Sequence, residues 1–261
     1  MELSYHRGEV MKVLLHGCNG RMGQTLTKII SNLNDVEVVC GVDKDTAKFN
    51  NPYPVYSSLN EVKEKVDVLI DFSNHVCLDS ILEYGKKNNV ALVICTTGFS
   101  EEEKAKMQEA SKYIPILHSA NMSLGVNLIL SLVSQAAKVL YENFDIEIIE
   151  KHHNQKLDSP SGTALMIADA INKALNDVLN YNYGRHSKTQ KREKNELGIH
   201  AVRGGNIVGE HEVLFAGPFE NIEIKHTALS RDVFAYGAIR AAKYLHGKPN
   251  GFYTMKDVIS E

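Results

Sequence analysis

Strand-like and helix-like runs alternate through the first 120 residues, and this alternation constrains the fold more than any other feature of the chain. Residues 11–16, 36–42, 66–72, 90–95 and 113–118 are apolar and strand-like. Between them, 21–31, 75–87 and 101–112 carry helical spacing, as at Met22, Leu26, Ile29 and Ile30. Parallel strands need long crossovers and helices supply them, so the rhythm predicts a parallel sheet covered on both faces. After Ser123 it changes. A long apolar helix over 124–142 leads to a strand at 145–150 and a helix at about 162–179. The charge-dense stretch 181–196 reads as a solvated loop. Three strand-like runs follow without helices, at 198–203, 206–215 and 219–227, and Gly204-Gly205-Asn206 reads as a hairpin turn joining the first two. That succession predicts a second, more open sheet with antiparallel pairing, before a final helix at 231–246 and a short tail.

Composition narrows the class. Apolar residues make up 43% and charged residues 23%, which excludes a wholly disordered chain. The longest apolar-rich stretch, 124–133, is broken by Asn127 and Ser131 and falls far short of the roughly 20 residues of a spanning helix, so no membrane is expected. A formal net charge of −3 lacks the basic excess of a general nucleic-acid binder. Cysteines at 18, 40, 77 and 95 form no Cys-x-x-Cys pair, and the polar start is no signal peptide. Reduced thiols in a cytoplasmic protein are expected. Met11-Lys12 before an apolar strand is a natural opening, so residues 1–10 read as a dispensable extension.

Between the first strand and the first helix stands Gly17-Cys18-Asn19-Gly20-Arg21-Met22-Gly23. Glycines there let the backbone turn tightly and approach a pyrophosphate, and the helix N-terminus offers it free N–H groups. The spacing is a variant of the standard dinucleotide fingerprint. Asp43, about 20 residues on at the end of the next strand, supplies the acidic residue of that pattern. Its carboxylate would accept both ribose hydroxyls of NAD, while Lys44 would meet the 2′-phosphate of NADP. An ordinary strand–helix turn without ligand is the plain alternative. Cys95-Thr96-Thr97-Gly98 and Ser119-Ala120-Asn121-Met122 fall where the carboxyl edge of the sheet is expected, the side on which open α/β sheets bind ligands.

The densest chemistry runs from Glu150 to Thr163, through His152, His153 and Lys156. Paired histidines raise the question of a metal. Adjacent side chains on an extended segment point in opposite directions, and no Cys pair or i, i+4 ligand spacing accompanies them, so no metal is expected. Ser161-Gly162-Thr163 before Leu165, Ala168, Ile171 and Leu175 reads as an N-cap and first turn. A plain capping motif explains that much. A glycine-containing helix N-terminus also binds carboxylate or phosphate, and with Lys156 and two histidines upstream the segment would collect an anion beside a proton donor. Reduction of an acidic small molecule is the chemistry this suggests.

The run E-K-H-H-N-Q-K-L-D-S-P-S-G-T-A at 150–164 closely resembles the signature of the 4-hydroxy-tetrahydrodipicolinate reductase (dihydrodipicolinate reductase) family, which serves the diaminopimelate route to lysine. The resemblance extends to G-x-x-G-R-M-G at 17–23, T-T-G-F at 96–99, S-A-N-M-S-L-G-V-N at 119–127, R-G-G-N-I-V-G-E-H at 203–211 and S-R-D-V-F-A-Y-G-A at 230–238. It implies an α/β fold: a Rossmann-like parallel-sheet domain over 1–123, completed by 231–261, and an α+β domain with an open mixed sheet over 124–230 for substrate binding and assembly into a homotetramer. It implies that His152 is the proton donor and acceptor, that Lys156 is a proton donor, and that His153, Gly162 and Thr163 bind a small dicarboxylate substrate. Gly17, Cys18, Asn19, Gly20, Arg21, Met22, Asp43, Cys95, Thr96, Thr97, Ser119, Ala120, Asn121 and Met122 would hold NADH or NADPH, with Lys44 beside Asp43. Cys95 stands where many members have glycine, although a backbone contact survives that change. The segment 43–58 is short, which leaves the choice of nucleotide open.

Two rival readings stand beside this one. Another two-domain NAD(P) dehydrogenase would explain the glycine turn but not the His-His-Lys-Ser-Gly-Thr block. A regulator that binds NADH without turnover should carry a helix-turn-helix or basic module, and none is legible.

Overall fold

A computed structural model describes residues 10–261; the extension read at 1–10 otherwise lies outside them. The chain divides into two compact units: Ser123–Val233, and a unit that runs up to Met122 and resumes over Phe234–Glu261.

The first unit is built on seven strands: β1 (Met11–His16), β2 (Val36–Val42), β3 (Val55–Tyr56), β4 (Val68–Asp71), β5 (Ala91–Ile94), β6 (Pro115–His118) and β12 (Gly251–Tyr253). They lie in the order β12-β6-β5-β4-β1-β2-β3 and every pairing is parallel. Strand order reverses between β1 and β4, the switch point at which such sheets bind ligands. Val13 and Leu15 belong to one core, and Leu14 to the other, so each face of β1 is buried. Helix α1 (Arg21–Ile30) and most of α6 (Asp232–Leu245) pack into the first core, and α2 (Leu78–Asn88) and α3 (Glu101–Ala110) into the second. Ser100 and Glu103 close a reciprocal capping box that starts α3. The expected short tail is more than a tail. Gly251–Tyr253 adds a strand beside β6, and α7 (Met255–Ser260) follows it.

The second unit holds five strands, β7 (Asp145–His152), β8 (Asn180–Tyr183), β9 (Glu196–Arg203), β10 (Gly209–Ala216) and β11 (Asn221–Ala228), in the order β11-β10-β7-β9-β8. Helices α4 (Leu124–Leu140) and α5 (Gly162–Ala174) pack on one face. Ile129, Val133, Ile167 and Ile171 meet Ile146, Ile148, Ile199, Val213 and Phe215 there. The sheet is mixed: β7–β10 and β10–β11 are antiparallel, β7–β9 and β8–β9 parallel.

One expectation is corrected and one is narrowed. Gly204-Gly205-Asn206 does not make a hairpin of β9 and β10, because β7 lies between them. The turn binds the end of β7 instead, with Gly204 N–H donating to the His152 carbonyl at 2.9 Å and Asn154 N–H to the Gly205 carbonyl at 3.2 Å. The hairpin is β10–β11. The stretch 181–196 is a largely exposed loop over 184–195, but its ends are strand: α5 ends at Ala174, β8 runs to Tyr183 at the sheet edge and β9 begins at Glu196. Its two arginines are paired with carboxylates of the sheet. Glu147 Oε1 accepts from Arg185 at 2.7 Å and from Arg192 at 3.1 Å, and its Oε2 lies 2.8 Å from His200 Nε2. Burial pushes the Glu147 carboxyl up, but these partners outweigh it and hold it below its ordinary value.

Candidate active site

The glycine turn follows β1 directly. Gly17 has φ +79°, a conformation that favours glycine, and a Cβ on it would lie 2.7 Å from the Phe72 carbonyl. A Cβ on Gly23 would lie 2.4 Å from the carbonyls of both Gly17 and Cys18, so only glycine lets α1 approach the turn this closely. Gly20 caps α1 without a side-chain hydrogen bond, and the first turn of α1 holds no acidic residue. The helix therefore presents bare N–H groups, with Arg21 exposed and Met22 half-buried at its start.

Asp43 follows β2 and reaches back to this turn. Its Oδ2 accepts from Asn19 N–H at 3.0 Å and its Oδ1 from Asp45 N–H at 3.2 Å. Asn19 Nδ2 donates to the Asp45 carbonyl at 2.6 Å, and Asn51 Nδ2 to Asn19 Oδ1 at 2.8 Å. The acidic residue and the glycine turn thus form one bonded loop cluster, beside which Lys44 is exposed. Cys18 is packed beneath it, and burial pushes its thiol up to about 12.

The later loops lie at the same edge. Residues 72–75 and 95–97 line a cleft of about 310 Å³ at the carboxyl ends of β4 and β5. Thr96 Oγ1 is buried there with no hydrogen-bond partner among the described residues, and Thr97 is exposed. Cys95 is buried, and burial pushes its thiol well up. Asp71, at the end of β4, pairs with His16 Nδ1 at 2.8 Å and accepts from Ser73 Oγ at 2.6 Å. After β6, Ser119 Oγ and the Asn121 backbone hold each other in a tight turn, with Ala120 exposed and Asn121 and Met122 buried. A larger cleft of about 580 Å³ opens at the amino ends of β4, β5 and β6, the side of such a sheet that does not bind ligands.

In the second unit the residues of β7 that face α5 run Ile146, Ile148, Glu150, His152, all buried. Isoleucine gives way to ionisable groups near the N-terminus of α5. Ser161 Oγ caps that helix by accepting from Ala164 N–H at 3.1 Å. Glu150 is fully buried. Its Oε2 meets His152 Nδ1 at 2.6 Å and Arg203 Nη1 at 2.7 Å, and its Oε1 meets Arg203 Nη2 at 2.7 Å and Ser161 N–H at 2.9 Å. Burial pushes the Glu150 carboxyl up, but Arg203, His152 and the Ser161 N–H prevail and hold it below its ordinary value. Burial likewise pulls His152 down, with Glu150 pulling the other way.

His211 packs edge-on against His152, ring centroids 5.2 Å apart, and its Nε2 lies 3.0 Å from Ser161 Oγ. That hydroxyl already accepts from Ala164, so its own proton is free to go to His211. Burial, reinforced by His152, pulls His211 down to about 4, so its ring is neutral at pH 7. Beyond β7, His153 turns the other way, half-buried, with Nε2 3.5 Å from Arg231. Lys156 pairs with Asp158 at 2.8 Å, which, with the Gly162 N–H, holds the Asp158 carboxyl below its ordinary value. A Cβ on Gly162 would meet nothing within 4 Å, so space is clear on that side of the helix start while the Gly162 N–H faces Asp158. Thr163 follows, half-buried.

The expected residues therefore gather in two places. Gly17–Met22, Asp43 and the loops after β5 and β6 share the carboxyl edge of the first sheet, and the His152–Thr163 segment surrounds the start of α5. Sequence reasoning gave Ser161 only its place as helix cap, and gave no role to Glu150, Arg203 or His211 in this second cluster. A signal was present: Glu150 and His152 share a strand face by alternation, and Arg203 and His211 bound a quoted motif. Among the described residues no group of three or more His, Cys, Asp or Glu could hold a metal ion.

Comparison with known proteins covers nearly all of the described chain. Residues 11–122 match the family "Dihydrodipicolinate reductase, N-terminus", and residues 125–259 match "Dihydrodipicolinate reductase, C-terminus". The 4-hydroxy-tetrahydrodipicolinate reductase of Caldanaerobacter subterraneus subsp. tengcongensis is 56% identical over 252 residues, 97% of this chain and 99% of that one. That of Clostridium novyi is 52% identical over 248 residues, 95% of this chain and 98% of that one. Among solved structures, dipicolinate-bound dihydrodipicolinate reductase from Paenisporosarcina sp. TG-14 superposes with a TM-score of 0.81 at 26% identity, covering 94% of this chain and 97% of that one.

Proposed function

The chain belongs to the dihydrodipicolinate reductase family, and from that premise we propose that it reduces 4-hydroxy-tetrahydrodipicolinate, or the dihydrodipicolinate formed from it by loss of water, to tetrahydrodipicolinate with NADH or NADPH in the diaminopimelate route of lysine biosynthesis. The observation that carries the reading is the buried carboxylate–imidazole pair of Glu150 and His152 in the same segment as Lys156 and the start of α5.

The residues present fit a nicotinamide dinucleotide. Gly17 and Gly23 let the turn close tightly against β4 and α1, the N-terminus of α1 is bare, and Thr96 Oγ1 beside the loop cleft has no hydrogen-bond partner among the described residues. Gly17, Cys18, Asn19, Gly20, Arg21 and Met22 would hold the pyrophosphate, Asp43 and Lys44 the adenosine ribose, and 95–97 with 119–122 the nicotinamide half. When bound, the cofactor supplies the hydride.

The chain's own residues handle protons and carboxylates. Protonating the ring nitrogen of an imine makes its carbon a far better hydride acceptor. Lys156 donates that proton in this reading, and His152 gives and takes protons beside it. His153, Gly162 and Thr163 bind the dicarboxylate at the start of α5. The Asp158 carboxylate already rests on Lys156 and the Gly162 N–H, which supports a carboxylate site there.

A homotetramer and a cytoplasmic setting complete the reading. The tetramer is supported by the sheet face opposite α4 and α5, where Ile149 and Leu214 stand among Lys151, Glu210, Glu212 and Lys225. The four free thiols suit a reducing compartment, and among the described residues no helix is long and apolar enough to cross a membrane. The proposal is tested by His152→Gln, which should lower turnover about 10²–10⁴-fold while nucleotide binding persists. Unchanged turnover would remove His152 from the chemistry.

A further inference from the structure

Glu150 precedes His152 by two residues on β7, so strand alternation puts carboxylate and imidazole on the same buried face. Three donors converge on that carboxylate, two from Arg203 and one from the Ser161 backbone, and His152 Nδ1 lies 2.6 Å from it. Held by a guanidinium at both oxygens and by the Ser161 N–H, it is ionised, and an ionised carboxylate can only accept. The proton between Glu150 and His152 therefore sits on Nδ1. The other ring nitrogen, Nε2, points toward Gly209, where a Cβ would come within 3.1 Å of it. A side chain at 209 would crowd the nitrogen that must reach a substrate.

We propose that Glu150 is the positioning residue of proton transfer: it fixes His152 as the Nδ1–H tautomer and makes Nε2 the atom that delivers the proton. The step balances simply. In the imidazolium form the Nε2–H bond breaks, an N–H or O–H bond forms on the acceptor, and His152 is left neutral with its proton on Nδ1, still hydrogen-bonded to Glu150. No electrons change hands, and solvent returns the proton to Nε2. Arg203 holds the carboxylate at both oxygens, so Glu150 cannot swing away from its partner. The carboxylate also stabilises the imidazolium that the step requires. This inference rests on His152 being a proton donor. It deepens that reading by naming the group that sets the donor's tautomer and direction.

The groups that face His152 are Glu150 on its own strand, Arg203 on β9, His211 on β10 and Lys156 in the following loop, itself paired with Asp158. Arg203, Lys156 and a protonated His211 oppose a charge on His152, and Glu150 favours it. Replacing the carboxylate by an amide removes the favourable partner and leaves the opposing ones.

Two measurements on the intact enzyme test this. Histidine labelled with 13C and 15N, with the His152 signals assigned by difference against His152→Gln, reports the tautomer without turnover. The expected result is neutral Nδ1–H at His152 in the unliganded enzyme; an Nε2–H tautomer would overturn the proposal. In Glu150→Gln, kcat should fall about 10–10²-fold with KM much less changed, a smaller loss than removal of the acid itself. The limb of the pH profile on which activity falls as His152 loses its proton should move to lower pH. Glu150→Asp, which keeps the charge, should move that limb back toward wild type. A Glu150→Gln enzyme with wild-type kcat and pH profile would contradict the proposal, and if that variant does not fold, the wild-type tautomer decides. Failure of the underlying reading looks different: His152→Gln would then turn over normally, whatever the tautomer.

Discussion

Lys156 sits two residues before the carboxylate it pairs with and six before the start of α5. Lys156→Ala is expected to lower turnover about 10²–10⁴-fold with nucleotide affinity unchanged; near-normal turnover would remove it from the mechanism. Asp43 is fixed by Asn19 and Asp45 next to the glycine turn, with Lys44 exposed beside it. Both nucleotides should therefore serve, and Asp43→Ala should shift kcat/KM toward NADPH. Equal ratios in the two enzymes would mean that Asp43 does not touch the ribose. His211 makes a prediction about stability. Burial holds it at about 4 against 6.5 for a free imidazole, so between those values the unfolded chain binds more protons than the folded one. Its contribution is fully present above about pH 6.5 and is lost as pH falls, by about 3 kcal/mol across the window. Urea unfolding from neutral pH down to about pH 5 should show stability falling, and His211→Gln should flatten that slope; an unchanged slope would contradict the assignment.

At the scale of elements, the contact between the glycine turn and α1 is the tightest test of the nucleotide site. A Cβ at Gly23 has two carbonyls 2.4 Å away, so Gly23→Ala must push α1 off the turn. It should cost about 1–3 kcal/mol of stability and weaken NADH binding, readable by thermal unfolding and by fluorescence titration. Wild-type affinity would show that the turn does not form the site. Much of this element was legible in the sequence, because strands buried on both faces read as continuous apolar runs and the turn lies between two of them. The short strands β3 and β12 were not, since two or three residues carry no periodicity. The Gly-Gly-Asn turn was misread for another reason: turn chemistry is local, whereas the partner of a strand is not, and β7 takes the place beside β9 that a hairpin would have given to β10. The pairing of Arg185 and Arg192 within the charged stretch 181–196 was not legible because their partner, Glu147, lies on a strand more than thirty residues earlier. In the same way His152, Lys156, Gly162 and Thr163 could be picked out from one continuous segment. Glu150, Arg203 and His211 become a cluster only through the register of three strands.

For the whole molecule, the chain passes between its two units twice, at Met122–Ser123 and at Val233–Phe234. The proposed nucleotide residues fall in one unit and the proposed dicarboxylate residues in the other, so the two affinities should be separable. Gly23→Ala should weaken NADH and leave pyridine-2,6-dicarboxylate binding intact, while Lys156→Ala should do the reverse; calorimetric titration of each ligand alone checks this. Sedimentation should give a tetramer, and a monomer at assay concentration would set aside the role given to the open sheet face. The central claim is the reaction itself. Its most direct measurement follows NADH and NADPH absorbance while the enzyme is supplied with the condensation product of pyruvate and aspartate semialdehyde. The account predicts oxidation of the nucleotide, inhibited by pyridine-2,6-dicarboxylate and lost in Lys156→Ala. Bound nucleotide that stays reduced in the presence of that substrate, with either cofactor, would contradict it.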